Sequence, residues 1–378
     1  MSIQTQTNAA RGSTNPLFND TKLKLGTFST NLSGGCTIST ADGVLKLDWP
    51  NTRTLAELAE DMDFEALVPV GRWKGFGGET NFNGDGFESY TWAAAISAFN
   101  EKASIFATSH VPTVHPCMAA KQGMTIDHVS GGRFTLNIVC GWFKPEIEMF
   151  GHSILERDRR YEMASEWIEI ISKLWTSENE FDFDGEFYQV KKAICGPLPV
   201  QRPLPAIMSA GSSDVGRAFA IKYADVAFTA HQGRKPDEMK KLAETYKTEA
   251  WNNHRRNISV WTNAYIFHGE TEREAKELLE YIVEEKGDHV GADNLLDATG
   301  LDKTYIPPDR LKIMRKHVMA GWGGFPLVGT KDQIIDGLQA ISDLGFDGTL
   351  LSWPKYIDGM THFRDEIYPL LKQTPLRD

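Results

Sequence analysis

NIVCGWFKPEIEMFG, residues 137–151, is the stretch on which the fold turns. Ile138, Val139 and Cys140 continue a buried strand that begins upstream in FTLNIVC (134–140). The strand then runs into Trp142, a Lys-Pro break and two acids, Glu146 and Glu148. That ending is either ordinary strand-to-helix punctuation or the rim of an active site. Before it, PCMAAKQGMTIDHVSGG (116–132) reads as a helix closed by two glycines. After it, Ala164, Trp167, Ile168, Ile171, Leu174 and Trp175 fall at helical spacing between Asp158 and Trp175. One strand therefore stands between two amphipathic helices.

The same unit recurs along the chain. LKLGTFS (23–29), ALVPV (66–70), ASIFATSHV (103–111) and FTLNIVC (134–140) read as the first four strands. PAIMSAG (205–211), DVAFTA (225–230), SVWTNAYIFH (259–268) and TLLSW (349–353) read as the other four. Helical patterns follow each, and no linker divides the chain. Eight alternations predict a (β/α)8 TIM barrel, with an open doubly wound sheet as the alternative. FDFDGEFYQVKKA (181–193) carries a DG turn between alternating residues and predicts a hairpin insertion. Residues 286–326 break the rhythm, with PP at 307–308 and GWGG at 321–324, and read as an irregular segment that is either a lid or disorder without function. Residues 1–20 are polar and read as a flexible tail, leaving 21–378 as a single barrel domain.

Composition removes several function classes. The chain has 378 residues, 40 basic and 51 acidic, for a net charge of −11. Binding to nucleic acid needs a clustered basic face, so it is not expected. No run of 18 apolar residues is present, so no membrane span is expected. Cys36, Cys117, Cys140 and Cys195 form no CxxC pair, which fits a reducing, cytoplasmic setting. Cys140 reads as a small buried filler, with a nucleophile as the other reading. No HExxH occurs and the ten histidines are scattered, so no metal is expected.

Barrel enzymes keep their chemistry at the C-terminal ends of the strands. There the sequence offers Gly71 and Arg72, then Thr108, Ser109 and His110, then Asn137, Trp142 and Glu146. AGSSD (210–214), His231, Gln232, Ser352 and Trp353 complete the set. AGSSDVG (210–216) brings a strand through glycine and two serines into a helix start. Free amides and hydroxyls there make an anion pocket, or the serines simply cap the helix. Asn137 is either a satisfied buried amide or a ligand contact. Glu146 with Glu148 also admits glycoside hydrolysis, which needs paired carboxylates at the barrel top.

Five blocks in order then resemble one family. RWKGFGGET (72–80), AAKQGMTIDHVSGGRF (119–134), GGRFTLNIVCGWFKPEIEMFG (131–151), ERDRRYEMASEWIEIISKLW (156–175) and AGSSD resemble the bacterial-luciferase-like, FMN-dependent monooxygenases. The pyrimidine and dimethylsulfone monooxygenase branch resembles the chain most, and the likeness runs over about residues 24–372. The resemblance implies reduced FMN supplied by a separate NAD(P)H-dependent flavin reductase, O2 as co-substrate, and a homodimer or homotetramer. It implies that Gly71, Arg72, Thr108 and Asn137 contact the flavin, with Thr108 and Asn137 forming the oxygen pocket. It implies Glu146 at the flavin or substrate, and Arg160, Tyr161, Gly211, Ser212 and Ser213 at the ribityl–phosphate end. Trp142 and Trp353 are expected in the substrate pocket, and His110 and Glu146 as candidates for proton transfer. The expected reaction oxygenates a small pyrimidine-, amide- or sulfone-like substrate and cleaves a C–N, C–S or C–C bond. His110 stands where the pyrimidine members are expected to carry a small residue, and 286–326 looks more like the sulfone type. A deazaflavin-dependent oxidoreductase on the same barrel and a non-catalytic flavin-binding protein are the alternatives.

Overall fold

The computed structural model describes residues 11, 13–211, 213–300 and 306–377. Eight parallel strands close into a barrel: β1 (Lys24–Phe28), β2 (Ala66–Val68), β3 (Ser104–His110), β4 (Phe134–Val139), β7 (Ala206–Ser209), β8 (Val226–Phe228), β9 (Ser259–His268) and β11 (Gly348–Ser352). β11 pairs with β1 and β8 with β9, so no edge is left in the ring. Strands packed on both faces have no polar side to show, and every residue of β1, β2, β3, β7, β8 and β11 is buried. Phe28, Val68, Phe106, Met208, Phe228, Trp261 and Leu350 fill the interior in one cluster. Helices cover the outside, with Trp167 and Trp175 of helix Arg157–Thr176 fully buried and Trp175 edge-on to Phe134 of β4.

The remaining strands are additions. β5 (Phe181–Asp184) and β6 (Gln189–Ala193) form the expected antiparallel hairpin. β10 (Phe325–Gly329), which the sequence reading does not anticipate, pairs only with the upper half of β9, Ala264–His268. It is an edge strand, and Pro326 fits there because a proline cannot donate to a second neighbour.

Residues 286–326 are not irregular where the structure describes them. Helix His289–Ala298 and helix Pro308–Gly321 occupy most of the stretch. Pro307 is the N-cap and Pro308 the first turn, where a missing N–H costs nothing. Trp322 ends the helix in the left-handed region, at φ 53°. The PP and GWGG signals therefore mark the two ends of a helix rather than a break in structure.

The flexible-tail expectation needs correction over part of its length. Residues 1–10 and 12 lie outside the described residues, but Arg11, Asn15 and Leu17 are buried. Arg11 pairs with Asp225 at 3.1 Å, and Asn15 Nδ2 donates to Gln201 Oε1 at 3.1 Å. Leu17, on the short turn Pro16–Phe18, joins the barrel's interior cluster. This segment seals the N-terminal end of the barrel, which leaves the opposite end for a site.

Candidate active site

A cavity of about 590 Å³ opens at the C-terminal ends of the strands. Among the described residues its wall includes Gly71, Arg72, Thr108, His110, Asn137, Trp142, Arg160, Tyr161, Gly211 and Ser213. The fold thus brings these ten expected residues to one place, together with Ala210 and Gln232.

Thr108 and Asn137 face each other in register on β3 and β4. Thr108 Oγ1 donates its proton to Pro69 O at 2.5 Å and accepts from Asn137 Nδ2 at 3.0 Å. The hydroxyl has one proton, so this chain fixes which way the carboxamide points. Asn137 Oδ1 is left buried and without a partner. A buried acceptor without a donor costs on the order of 1–3 kcal/mol, which a ligand donor can recover.

Arg72 is held by an acid and by rings. Its Nη1 lies 3.1 Å from Glu146 Oε2, with both side chains fully buried. Phe76, Trp142 and Phe143 surround the guanidinium at 4.8, 5.1 and 5.4 Å from its carbon. Burial depresses its pKa and Glu146 opposes that shift. Nη1 faces Glu146 and Nε has no partner, so Arg72 keeps the Nε donor for a ligand. Glu146 also accepts from the amides of Trp73 (2.6 Å) and Lys74 (3.2 Å).

Glu146 is therefore corrected: it stands behind Arg72 and does not line the cavity. Glu148 is exposed and paired with Lys144 at 3.5 Å, so the paired-carboxylate reading has no geometric basis. His110 does line the cavity, with Nδ1 3.8 Å from Glu146 Oε2. Burial, then Arg72, lowers its pKa to about 3. It is a neutral hydrogen-bonding group near neutral pH and not a proton donor of ordinary strength.

The other end of the cavity is cationic. Arg160 donates to Gly141 O through Nη1 and leaves Nε without a partner. Tyr161 lies so close to Gly211 and Gly216 that a Cβ on either would meet its hydroxyl at 2.5 Å. Burial raises the Tyr161 pKa, which keeps the hydroxyl a donor. Ser213 caps helix Asp214–Tyr223 by accepting from Gly216 N at 3.2 Å, so the plain-cap reading of this serine holds, and it also lines the cavity. Ser212 lies outside the described residues.

Trp353 is the second correction. It ends β11 but packs outside the barrel against Tyr356 and Phe363, with no part in the cavity wall. Cys140 lies at the wall, and burial pushes its thiol pKa up to about 12, so it is not an activated nucleophile. The sequence reading misses Arg157, Asn263 and the apolar cover from the two inserted helices: Leu295, Leu296, Thr299, Met314 and Val318. The cover was hidden because its segment read as irregular. Asn263 sat mid-strand with no motif around it. Among the described residues no cluster of metal-ligand type is present, and no helix is long and apolar enough to cross a membrane.

Comparison with known proteins agrees with this architecture. The family model described as luciferase-like monooxygenase matches residues 23–348. The FMNH(2)-dependent dimethylsulfone monooxygenase of Pseudomonas putida is 30% identical over 356 residues, covering 93% of this chain and 96% of that protein. The pyrimidine monooxygenase RutA of Serratia proteamaculans is 29% identical over 370 residues, covering 93% and 96%. In fold, the chain is similar to the crystal structure of DmoA from Hyphomicrobium sulfonivorans, with a TM-score of 0.79 at 19% identity, covering 93% and 88%. With the family model spanning most of the barrel, the chain belongs to the luciferase-like monooxygenases.

Proposed function

We propose that the chain is a two-component flavin-dependent monooxygenase. It takes reduced FMN from a separate NAD(P)H-dependent flavin reductase and uses O2 to oxygenate a small organic substrate. A C–N, C–S or C–C bond is cleaved in the product. The observation that carries this reading is the Thr108–Asn137 pair, whose fixed orientation leaves an acceptor, Asn137 Oδ1, unpaired at the cavity. Four free cysteines support a reducing, cytoplasmic setting.

The residues fit a flavin at both ends of the cavity. Arg157, Arg160, the Tyr161 hydroxyl and the start of helix Asp214–Tyr223 suit a phosphate. Gly211 and Gly216 leave the space in which Tyr161 sits. The unpaired Nε of Arg72 and the unpaired oxygen of Asn137 suit the carbonyl and N–H groups of a ring edge. Reduced flavin, when bound, supplies the electrons that activate O2.

The chain's own residues do the rest. Thr108 and Asn137 hold the reacting centre against the β3–β4 wall. Trp142 and Phe76, stacked at 6.1 Å, and Trp322 keep water out, which suppresses loss of activated oxygen without product. Glu146 holds Arg72 and the backbone of residues 73–74 in place.

The test is mass spectrometry of products formed in labelled O2. The mixture contains the protein, FMN, NADH and a flavin reductase. The panel contains uracil, dimethylsulfone, short alkanesulfonates, cyclic amides and small N-heterocycles. Label in a product is expected. Tight flavin binding with no label in any product would favour the binding-protein alternative. Hydride transfer without O2 would favour the deazaflavin alternative.

A further inference from the structure

Asn263 is 2% exposed and lies on the wall of the cavity. It sits on β9 two residues after Trp261 and opposite Leu350 of β11, both members of the barrel's interior cluster. Side chains alternate along a strand, so Asn263 faces inward too. Its Nδ2 donates to Gly321 O at 3.2 Å, at the end of helix Pro308–Gly321. A carbonyl accepts only, so the nitrogen must point there and the oxygen must be the free end. Asn263 Oδ1 is buried with no partner.

This oxygen is far in the ring from the cationic end. β9 is three strands on from β4 and two from β7, whose following loop carries Gly211 and Ser213. Its neighbours on the cavity wall are Val318, Trp322 and Gly323 from the inserted helix and its cap. A ligand seated here meets apolar surface, the Asn263 Oδ1 acceptor, and the unpartnered indole N–H of Trp322 and hydroxyl of Thr229, which suit a carbonyl or sulfone oxygen and leave Oδ1 as the group that needs a ligand N–H. A sulfone has only acceptor oxygens and leaves Asn263 Oδ1 unpaired. An amide, ureide or N-heterocycle carries an N–H that satisfies it. A site built to pair with an N–H discriminates strongly against the analogue without one.

We propose that Asn263 is a specificity-determining residue: its Oδ1 accepts the N–H of the substrate, so the enzyme takes amide- or ureide-type molecules rather than sulfones. The proposal rests on the flavin-monooxygenase reading of the same cavity.

The test compares two rings of nearly equal size, 2-pyrrolidinone and γ-butyrolactone, which differ by N–H against O. Dimethylsulfone is the third probe. Binding to protein loaded with oxidised FMN is followed by ligand-observed NMR titration, and FMN loading is read first from flavin fluorescence. The lactam is expected to bind at least about tenfold tighter than the lactone and the sulfone. Asn263→Ala is expected to bring the lactam-to-lactone ratio close to one. The ratio is the readout because general loosening of the wall weakens both rings alike. A wild-type ratio near one, no lactam binding, or tighter sulfone binding overturns the proposal whether or not the variant folds. A variant that loses FMN but keeps the ratio also overturns it, by assigning Asn263 to the flavin. If FMN fails to load on the wild type, the flavin reading falls. The same titration on the free protein then still tests Asn263.

Discussion

Asn137 shows how one side chain acquires a direction. Pro69 O takes the only proton of Thr108, Thr108 takes a proton from Asn137, and Asn137 is left presenting an oxygen. Asn137→Ala removes that oxygen without touching the barrel's apolar core. We expect product formation to fall by about 10²-fold or more with the melting temperature nearly unchanged. Glu146 carries a different risk. Removing it leaves the Arg72 charge buried among three rings with no counter-ion. Glu146→Ala is expected to cost about 3–5 kcal/mol in denaturant unfolding, and a cost below about 1 kcal/mol would contradict the buried pair. Asn137 and Arg72 were legible in the sequence because they stand at strand ends, whereas Tyr161, inside helix Arg157–Thr176, was legible only through the family resemblance of its block. The place of Glu146 was not legible, because a two-residue spacing says nothing about which acid turns inward. Trp353 was misread for a related reason: the last residue of a strand can turn to either side.

At the scale of elements, the cover of the cavity is tied down through Asp288. Its carboxylate accepts from Thr80 N and Thr80 Oγ1 at 2.8 Å and from Gly291 N at 2.9 Å. It therefore caps helix His289–Ala298 and fastens the loop after β2 to that helix. Asn294 adds a bond from Nδ2 to Phe76 O at 2.7 Å. Asp288→Ala is expected to lower stability by about 1–2 kcal/mol and to raise proteolysis within residues 75–88, measured by limited digestion. Unchanged digestion would mean that the loop does not depend on the tie. The eight barrel strands were readable because burial on both faces makes them apolar runs. The cover was not, because helix Pro308–Gly321 starts on paired prolines and ends on glycines, signals that also mark loops.

At the scale of the whole molecule, the barrel is closed at one end by Asn15 and Leu17 and open to ligand at the other. The polar composition of the N-terminal segment concealed that role, since much of the sealing is done by polar side chains, Arg11 and Asn15, beside Leu17. The buried histidines give the fold a pH dependence of definite sign. Burial lowers the pKa of His110 to about 3 and that of His231 to about 4, from 6.5. The unfolded chain then binds more protons than the folded one between those values and 6.5. Their contribution is present above pH 6.5 and is lost as pH falls toward 3–4. We expect acid titration to lower unfolding free energy with a slope of up to about 1.4 kcal/mol per pH unit for each group. Replacing His110 with Asn should flatten that slope, and an unchanged slope would contradict the burial of His110.

In the proposed function one cavity holds FMN between its cationic end and the Thr108–Asn137 wall. A crystal structure of the FMN-loaded protein tests it most directly. The phosphate is expected among Arg160, Tyr161, Gly211 and Ser213, and the ring within hydrogen-bond reach of Asn137 Oδ1. A flavin bound elsewhere, or a ring that leaves Asn137 Oδ1 unpaired, would contradict it.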